Sequence, residues 1–196
     1  MKLLFTSISA IALVAAGAAH ADKKSSSLNI AHTEQVEGVS PIYAPSGDAQ
    51  LYGRVVFDSL LTIDLATGKV LPHLATSWKQ TSPTSWEFKL REDVTFHDGS
   101  KFDADDVVYS LNFVSDPKVR FRLKNRFLWI KRAEKIDSHT VRLIAKRPEA
   151  MVFSRLGVGM PMFPSDLHGA LKKKSDFGRK PIGTGAYRVA SFDVNQ

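Results

Sequence analysis

The sequence of 196 residues contains no cysteine. Disulfide staples are therefore excluded, as is a lipid anchor attached through a lipoprotein cysteine, and stability has to come from an apolar core. After the first residues there is no further apolar run long enough to span a bilayer. There is also no internal repeat, low-complexity segment, nucleophile elbow, P-loop, His-rich zinc pattern or dinucleotide fingerprint. The sequence thus lacks the usual signs of acyl transfer, phosphoryl transfer, zinc chemistry and hydride transfer. What is present is globular: 43% hydrophobic and 24% charged residues, without a disordered or fibrous signature.

The first residues carry an address. Lys2 supplies a positive start, Leu3 to Ala16 a nearly uninterrupted apolar stretch, and Ala19-His20-Ala21 a small-x-small exit. This pattern predicts a signal peptide over 1–21, cleaved between Ala21 and Asp22, and a soluble periplasmic product that is not a lipoprotein. Removing it leaves 175 residues (22–196), enough for one domain with an ordinary core. The net charge of +7 is concentrated. Between Lys118 and Arg147 there are eleven Lys or Arg against Glu134 and Asp137. In an exported protein this reads as a solvated basic face or a weak attraction to an anionic membrane or ligand, not as nucleic-acid recognition.

The hydrophobic pattern alternates between strand and helix periods. Leu28 to His32 reads as a strand, followed by a loop over 38–47 and a helix capped by Asp48 with Leu51, Val55, Val56 and Ser59 on one face. Leu60 to Leu65 reads as a strand turned by Ala66-Thr67-Gly68-Lys69 into Val70-Leu71. From Thr76 to Leu90 the pattern alternates, with Trp86, Phe88 and Leu90 inward and Glu87 and Lys89 outward, before a tight turn at Asp98-Gly99. Asp103 then caps a helix with Asp106 at its third position, Phe102 and Val107 as a hydrophobic staple, and Val107, Val108, Leu111 and Val114 as the buried stripe, up to Asp116-Pro117. Two strands follow, Trp129 to Ile136 and Thr140 to Lys146. Short helices are expected at Met151 to Leu156 and, capped by Ser165, at Ser165 to Lys172, with a closing strand over Ala186 to Phe192. Trp86 is expected in the core and Trp129, among basic neighbours, partly exposed.

From Leu71 onward the order of residues becomes specific. Leu74-Ala75-Thr76-Ser77-Trp78, Ser85-Trp86-Glu87-Phe88-Lys89-Leu90-Arg91, Val94-Thr95-Phe96-His97-Asp98-Gly99 and Phe102 to Ser110 closely resemble the signature of family 5 extracellular solute-binding proteins. Pro181-Ile182-Gly183-Thr184-Gly185-Ala186-Tyr187 resembles that family's P-x-G-T-G-x-Y element. The resemblance implies an α/β, periplasmic binding protein-like fold of type II, two-lobed, with a mixed sheet and flanking helices. Family members are much longer, so only the first part of lobe I is expected here and the second lobe is expected to be missing, as in a truncated product or partial gene model. It further implies a non-catalytic receptor for an oligopeptide or other small solute, working without cofactors beside an ABC permease and its ATPase subunits. The alternatives are a nickel complex or a sugar in the same fold, or a truncated product without binding activity.

Candidate residues follow from this. His97 and Asp98 with Asp103, Asp105 and Asp106 have the side chains of a metal site, but Asp98 is explained by its turn and the other three by the helix start, so no metal is expected. Ligand contacts are expected from the loop after the first strand, at Thr33, Glu34 and Gln35, where Glu34 is suited to meet a ligand amine. Met160 beside Pro161, and Gly183 and Thr184, where backbone approaches a ligand or another segment, complete the set.

Overall fold

The computed structural model describes residues 20–22, 27–29, 38–44 and 46–193, of which 20–22 and 27–29 are described by their backbone. Strand β1 (His20–Asp22) pairs antiparallel with β2 (Ser27–Asn29), Ala21 lying opposite Leu28. These two strands belong to a separate unit that ends at Gln35. Most of the expected signal peptide lies outside the described residues, as do Thr33, Glu34 and Gln35.

The larger unit begins with helix α1 (Gly47–Val56), and its cap differs from the expectation. Ser46, not Asp48, is the N-cap, its hydroxyl accepting from the Ala49 N–H at 3.1 Å, and Asp48 is the second residue of the helix. The buried face also differs: Leu51 and Val55 are exposed, while Ala49, Gly53 and Val56 point inward. The reason is close packing on small residues. A Cβ at Gly53 would come within 2.5 Å of the Pro41 ring, so the helix turns this edge to segment 38–44 and leaves its larger aliphatic side chains outside.

Strands β3 (Leu61–Ile63) and β4 (Val70–Pro72) form a small antiparallel pair across the expected turn, where Gly68 takes a φ of 69°. The alternating segment is two strands instead of one, β5 (Ala75–Ser82) and β6 (Ser85–Leu90), because Pro83-Thr84 reverses the chain. With β7 (Ile130–Asp137) and β8 (Thr140–Ala145) they make a four-stranded sheet in the order β5-β6-β8-β7. Every ladder among the described residues is antiparallel. Trp86 lies opposite Leu143 and Phe88 opposite Val141, all four buried. On the other face the same register places Glu87 between Lys79 and Arg142, at 2.9 and 2.7 Å, and these hydrogen bonds hold its carboxyl below the usual range.

Helix α2 (Ala104–Ser115) starts as its sequence predicts. Asp103 accepts from the Asp105 N–H at 2.7 Å, and Asp106 reaches back to the Asp103 N–H at 3.0 Å, closing a capping box. Phe102 and Val107 are both buried, as a staple requires, and Leu111 and Val114 continue the inward stripe while Val108 is half-buried. Each such buried side chain is worth roughly 1.5–3 kcal/mol relative to exposure. Short helices α3 (Val152–Gly157) and α4 (Ser165–Ala170) follow. Ser165 does not cap α4; Pro164 holds the N-cap position, and the Ser165 N–H is already satisfied by the Asp106 carboxylate at 2.7 Å.

Two further expectations are corrected. Residues 186–192 form no strand. Their segment hydrogen-bonds instead to the end of α1, and Ala186, Tyr187 and Arg188 are exposed. Trp129 is buried, with 6% of its surface exposed, against 3% for Trp86. The basic neighbours Lys131 and Arg132 face solvent while the indole turns into the core, where its Nε1–H has no hydrogen-bond partner among the described residues. We therefore expect Trp86→Ala and Trp129→Ala each to cost about 3–5 kcal/mol in chemical denaturation. A loss below about 1 kcal/mol for Trp129→Ala, the usual size of a surface change, would contradict its placement.

Candidate binding surface

The Gly183-Thr184-Gly185 turn sits against the C-terminal end of α1. The Gly185 and Tyr187 N–H groups donate to the carbonyls of Val56 and Val55, each at 3.0 Å, satisfying two acceptors that a helix end leaves open. Such an approach requires glycine. A Cβ at Gly183 would lie 2.0 Å from the Val56 oxygen, and one at Gly185 2.5 Å from the Val55 oxygen.

His97 fastens the turn from the other side. Its N–H donates to the Gly183 carbonyl at 2.9 Å, its ring Nε2–H donates to the Gly185 carbonyl at 2.8 Å, and Nδ1 accepts from the Gly183 N–H at 3.3 Å. The hairpin that carries His97 is closed by Gly99, at φ 88°, and by Asp98, which accepts from the Ser100 N–H and hydroxyl at 3.0 and 2.7 Å. The residues with the side chains of a metal site thus have other work: His97 holds the turn, Asp98 shapes the hairpin, and Asp103 and Asp106 cap α2. Sequence reasoning missed His97 as a partner of Gly183. The spacing of 86 residues gives no local signal, although each side of the contact is a recognisable motif.

A cleft of about 170 Å³ lies between α1, β3 and the loop after α3, lined among others by Arg54, Phe57, Ile63, His73, Gly159 and Pro161. His73 donates from Nδ1 to the Ser59 carbonyl at 3.2 Å and lies 3.5 Å from Asp58 through Nε2. Pro161 borders this cleft, whereas Met160 does not line it and is wholly buried. Thr184 is half-buried and Gly183 buried beneath α1. The structure therefore brings Gly183 and Thr184 together with His97 and the end of α1, and sets Met160 in the core.

The chain after the expected ligand loop is firmly held. The Val39 N–H donates to the Gly178 carbonyl at 3.0 Å, and Tyr43 joins a buried aromatic cluster. There His168 lies between two phenols, with Tyr43 Oη 2.7 Å from Nε2 and Tyr109 Oη 2.6 Å from Nδ1, and stacks on Phe163 at 4.4 Å. Burial, then the Lys174 ammonium, lowers the His168 pKa to about 4, so at neutral pH one ring nitrogen donates and the other accepts. Lys174 itself donates to the carbonyls of His168 and Leu171, both at 2.8 Å.

One serine stands near a histidine: the Ser138 hydroxyl is 3.0 Å from His139 Nδ1 in the β7–β8 turn. Both are exposed or nearly so, and Asp137 accepts from the His139 backbone N–H instead of orienting the ring. Among the described residues this arrangement lacks the third group and the enclosure that nucleophilic catalysis requires.

A family model, Bacterial extracellular solute-binding proteins, family 5 Middle, matches residues 69–196. Di/tripeptide-binding protein 4 of Pseudomonas aeruginosa (strain UCBPP-PA14) is 30% identical, over 91% of this chain and 37% of its own. The crystal structure of NikZ from Campylobacter jejuni in complex with Ni(L-His) superposes with a TM-score of 0.72 at 29% identity, over 82% of this chain and 32% of that one. A dipeptide binding protein from Pseudoalteromonas sp. SM9913, in complex with Met-Leu, gives 0.74 at 21% identity over 82% of this chain and 36% of that one, a likeness of fold. The chain spans about a third of the length of these relatives. The fold is that of type II periplasmic binding proteins, as the α/β reading expected.

The turn's packing yields a direct test. Gly183→Ala forces the Val56 carbonyl away, so the amides of Gly185 and Tyr187 should lose hydrogen-exchange protection, at a cost on the order of 1–3 kcal/mol. Thr184→Ala should leave both nearly unchanged. Equal protection in Gly183→Ala and the unsubstituted chain would show that the turn is not held by this contact.

Proposed function

This chain belongs to the bacterial extracellular solute-binding proteins, family 5, and from that premise we propose that it is part of a receptor capturing peptides or peptide-like solutes in the periplasm. Family and fold are those of binding proteins, not enzymes. The receptor passes its solute to an ABC permease driven by ATPase subunits, so its own task is selective binding without a cofactor. The exported form begins at Asp22, after cleavage behind Ala21. The observation that carries the reading is the family match over 69–196, which includes both the His97 hairpin and the Gly183 turn that it holds.

A peptide ligand offers main-chain donors and acceptors and a charged amine, which strand-like backbone and a carboxylate can meet. We assign the amine to Glu34, with its sequence neighbours Thr33 and Gln35 as further contacts, three residues that lie outside the described ones. Gly183 acts mainly by its close packing on the end of α1 and thereby on the rim of the cleft, and the half-buried Thr184 beside it stays a candidate ligand contact. Met160 is withdrawn from the binding set because it has no exposed surface. The name of the Pseudomonas relative supports a di- or tripeptide. NikZ with Ni(L-His), at nearly the same identity, supports a second reading in which the solute is a nickel complex of an amino acid.

The cleft of about 170 Å³ is smaller than the several hundred Å³ of a typical enclosed ligand site. A ligand held there stays largely solvated, and few contacts offset the cost of association. We therefore expect this 196-residue chain alone to bind di- and tripeptides no tighter than roughly millimolar. A receptor-length chain should bind them at least about a hundredfold more tightly, a difference of roughly 2.7 kcal/mol. Isothermal titration of both chains with a dipeptide pool and, separately, with Ni(L-His) examines this. Saturation of the receptor-length chain by Ni(L-His) and by no peptide would replace the peptide reading with the nickel one. Saturation by neither would overturn both.

A further inference from the structure

The receptor function leaves the basic segment after α2 unused. From Lys118 to Arg132 there are seven lysines and arginines and no acidic residue. Basic and apolar positions interleave in Lys118-Val119-Arg120-Phe121-Arg122-Leu123-Lys124, and Arg126, Phe127 and Leu128 follow. The structure closes this segment on itself. The Lys118 N–H donates to the Asp116 carboxylate at 2.8 Å, the Val119 N–H to the Asp116 carbonyl at 3.1 Å, and the Lys124 ammonium to that same carbonyl.

Lys118, Arg120, Arg122 and Arg126 stand exposed around the loop. Among the described residues none of the four has a carboxylate within 4.0 Å, whereas Arg132, Lys135 and Arg142 are paired with Glu134, Asp105 and Glu87. More positive charge lies close by. Lys146 disfavours the charge on Lys124, adding to burial against the pull of Asp116, and Arg155 donates to the Arg126 carbonyl at 3.0 Å. Leu128 and Met151 add exposed apolar surface, 40% and 56% accessible, and Met151 shares a cleft of about 260 Å³ with Arg126 and Phe127.

We propose that this face, carried by Lys118, Arg120, Arg122 and Arg126, docks on an anionic phospholipid surface. Its charges sit on long side chains for which no hydrogen bond is seen among the described residues, and the exposed Leu128 and Met151 lie beside them. A fluid array of lipid phosphates adapts to any spacing of such groups and accepts the apolar ones at the headgroup boundary, whereas a folded acidic partner needs a matching rigid pattern. The inference rests on the periplasmic reading for its setting, where the bilayer that holds the transporter is at hand. Weak docking there would concentrate a loaded receptor beside its permease.

The test is co-sedimentation of residues 22–196, the chain without its expected signal peptide, with vesicles of phosphatidylcholine, alone or mixed with phosphatidylglycerol. It is run at low and high salt, beside a variant carrying Lys118→Gln, Arg120→Gln, Arg122→Gln and Arg126→Gln. We expect at least about tenfold stronger partitioning to the anionic vesicles and its loss at high salt. The variant should also lose it, since each basic residue near such a surface contributes roughly fivefold. A companion variant carrying Arg120→Lys, Arg122→Lys and Arg126→Lys keeps the charge and should keep binding. Equal partitioning to both vesicles, or a quadruple variant that binds as the unsubstituted chain does, overturns the proposal. Binding to a DNA duplex without binding to either vesicle overturns it as well. No solute takes part in this assay, so its failure leaves the receptor reading standing, and a receptor that takes no peptide leaves this result unaffected.

Discussion

The Asp106 carboxylate is the contact on which the larger unit depends. It is 5% exposed, yet both of its oxygens are committed. One accepts the Asp103 N–H at 3.0 Å and closes the start of α2; the other accepts the Ser165 N–H at 2.7 Å and fixes the start of α4. Burial pushes its pKa up while these two amides pull it down, the balance of a buried charge tolerated because backbone donors replace its water. One turn further along, the Ser110 hydroxyl accepts from the Phe163 N–H at 2.8 Å. On the sheet side, Asn112 exchanges two hydrogen bonds with the Ala133 backbone of β7, at 3.1 and 2.8 Å. Helix α2 thus joins the four-stranded sheet to segment 163–165 by polar contacts set among its apolar ones.

The rest follows outward from that joint. With 163–165 fixed, Phe163 and His168 come to lie against Tyr43 and Tyr109, and this cluster holds the segment that follows the expected ligand loop. The hairpin before α2 carries His97, so the same joint sets where His97 meets Gly183 and Gly185, and through them the end of α1. The candidate binding surface is in this sense built from the core outward, with backbone contacts at its rim, as suits a member of a family of binding proteins.

What was legible in the sequence is what short-range chemistry dictates. The cap, box and staple of α2 use residues within a few positions of each other, and the alternation of Trp86, Phe88 and Leu90 matches the pleat they occupy. Elements decided by distant partners were read less well. Leu51 and Val55 have helical spacing, but the contact between Gly53 and Pro41 chose another face. Residues 186–192 alternate like a strand, yet the Tyr187 amide found the Val55 carbonyl of α1, and Ser165 gave its amide to Asp106 in place of capping α4. The charge around Trp129 suggested exposure because a linear sequence does not say which way an indole turns. At the site, Gly183 was recognisable as a point of close approach, but its partners, Val56 and His97, were not.

The most direct test of this account compares Asp106→Ala with Asp105→Ala by chemical denaturation. Asp105 is exposed and paired with Lys135 at 2.6 Å on the surface, a contact worth about 0–1 kcal/mol. Asp106→Ala leaves two backbone N–H groups without their charged acceptor and should cost about 3–6 kcal/mol, at roughly 1.5–3 for each bond. That difference between neighbouring carboxylates is what the account predicts. Equal and small losses would show that the joint between α2 and the start of α4 does not hold the structure together.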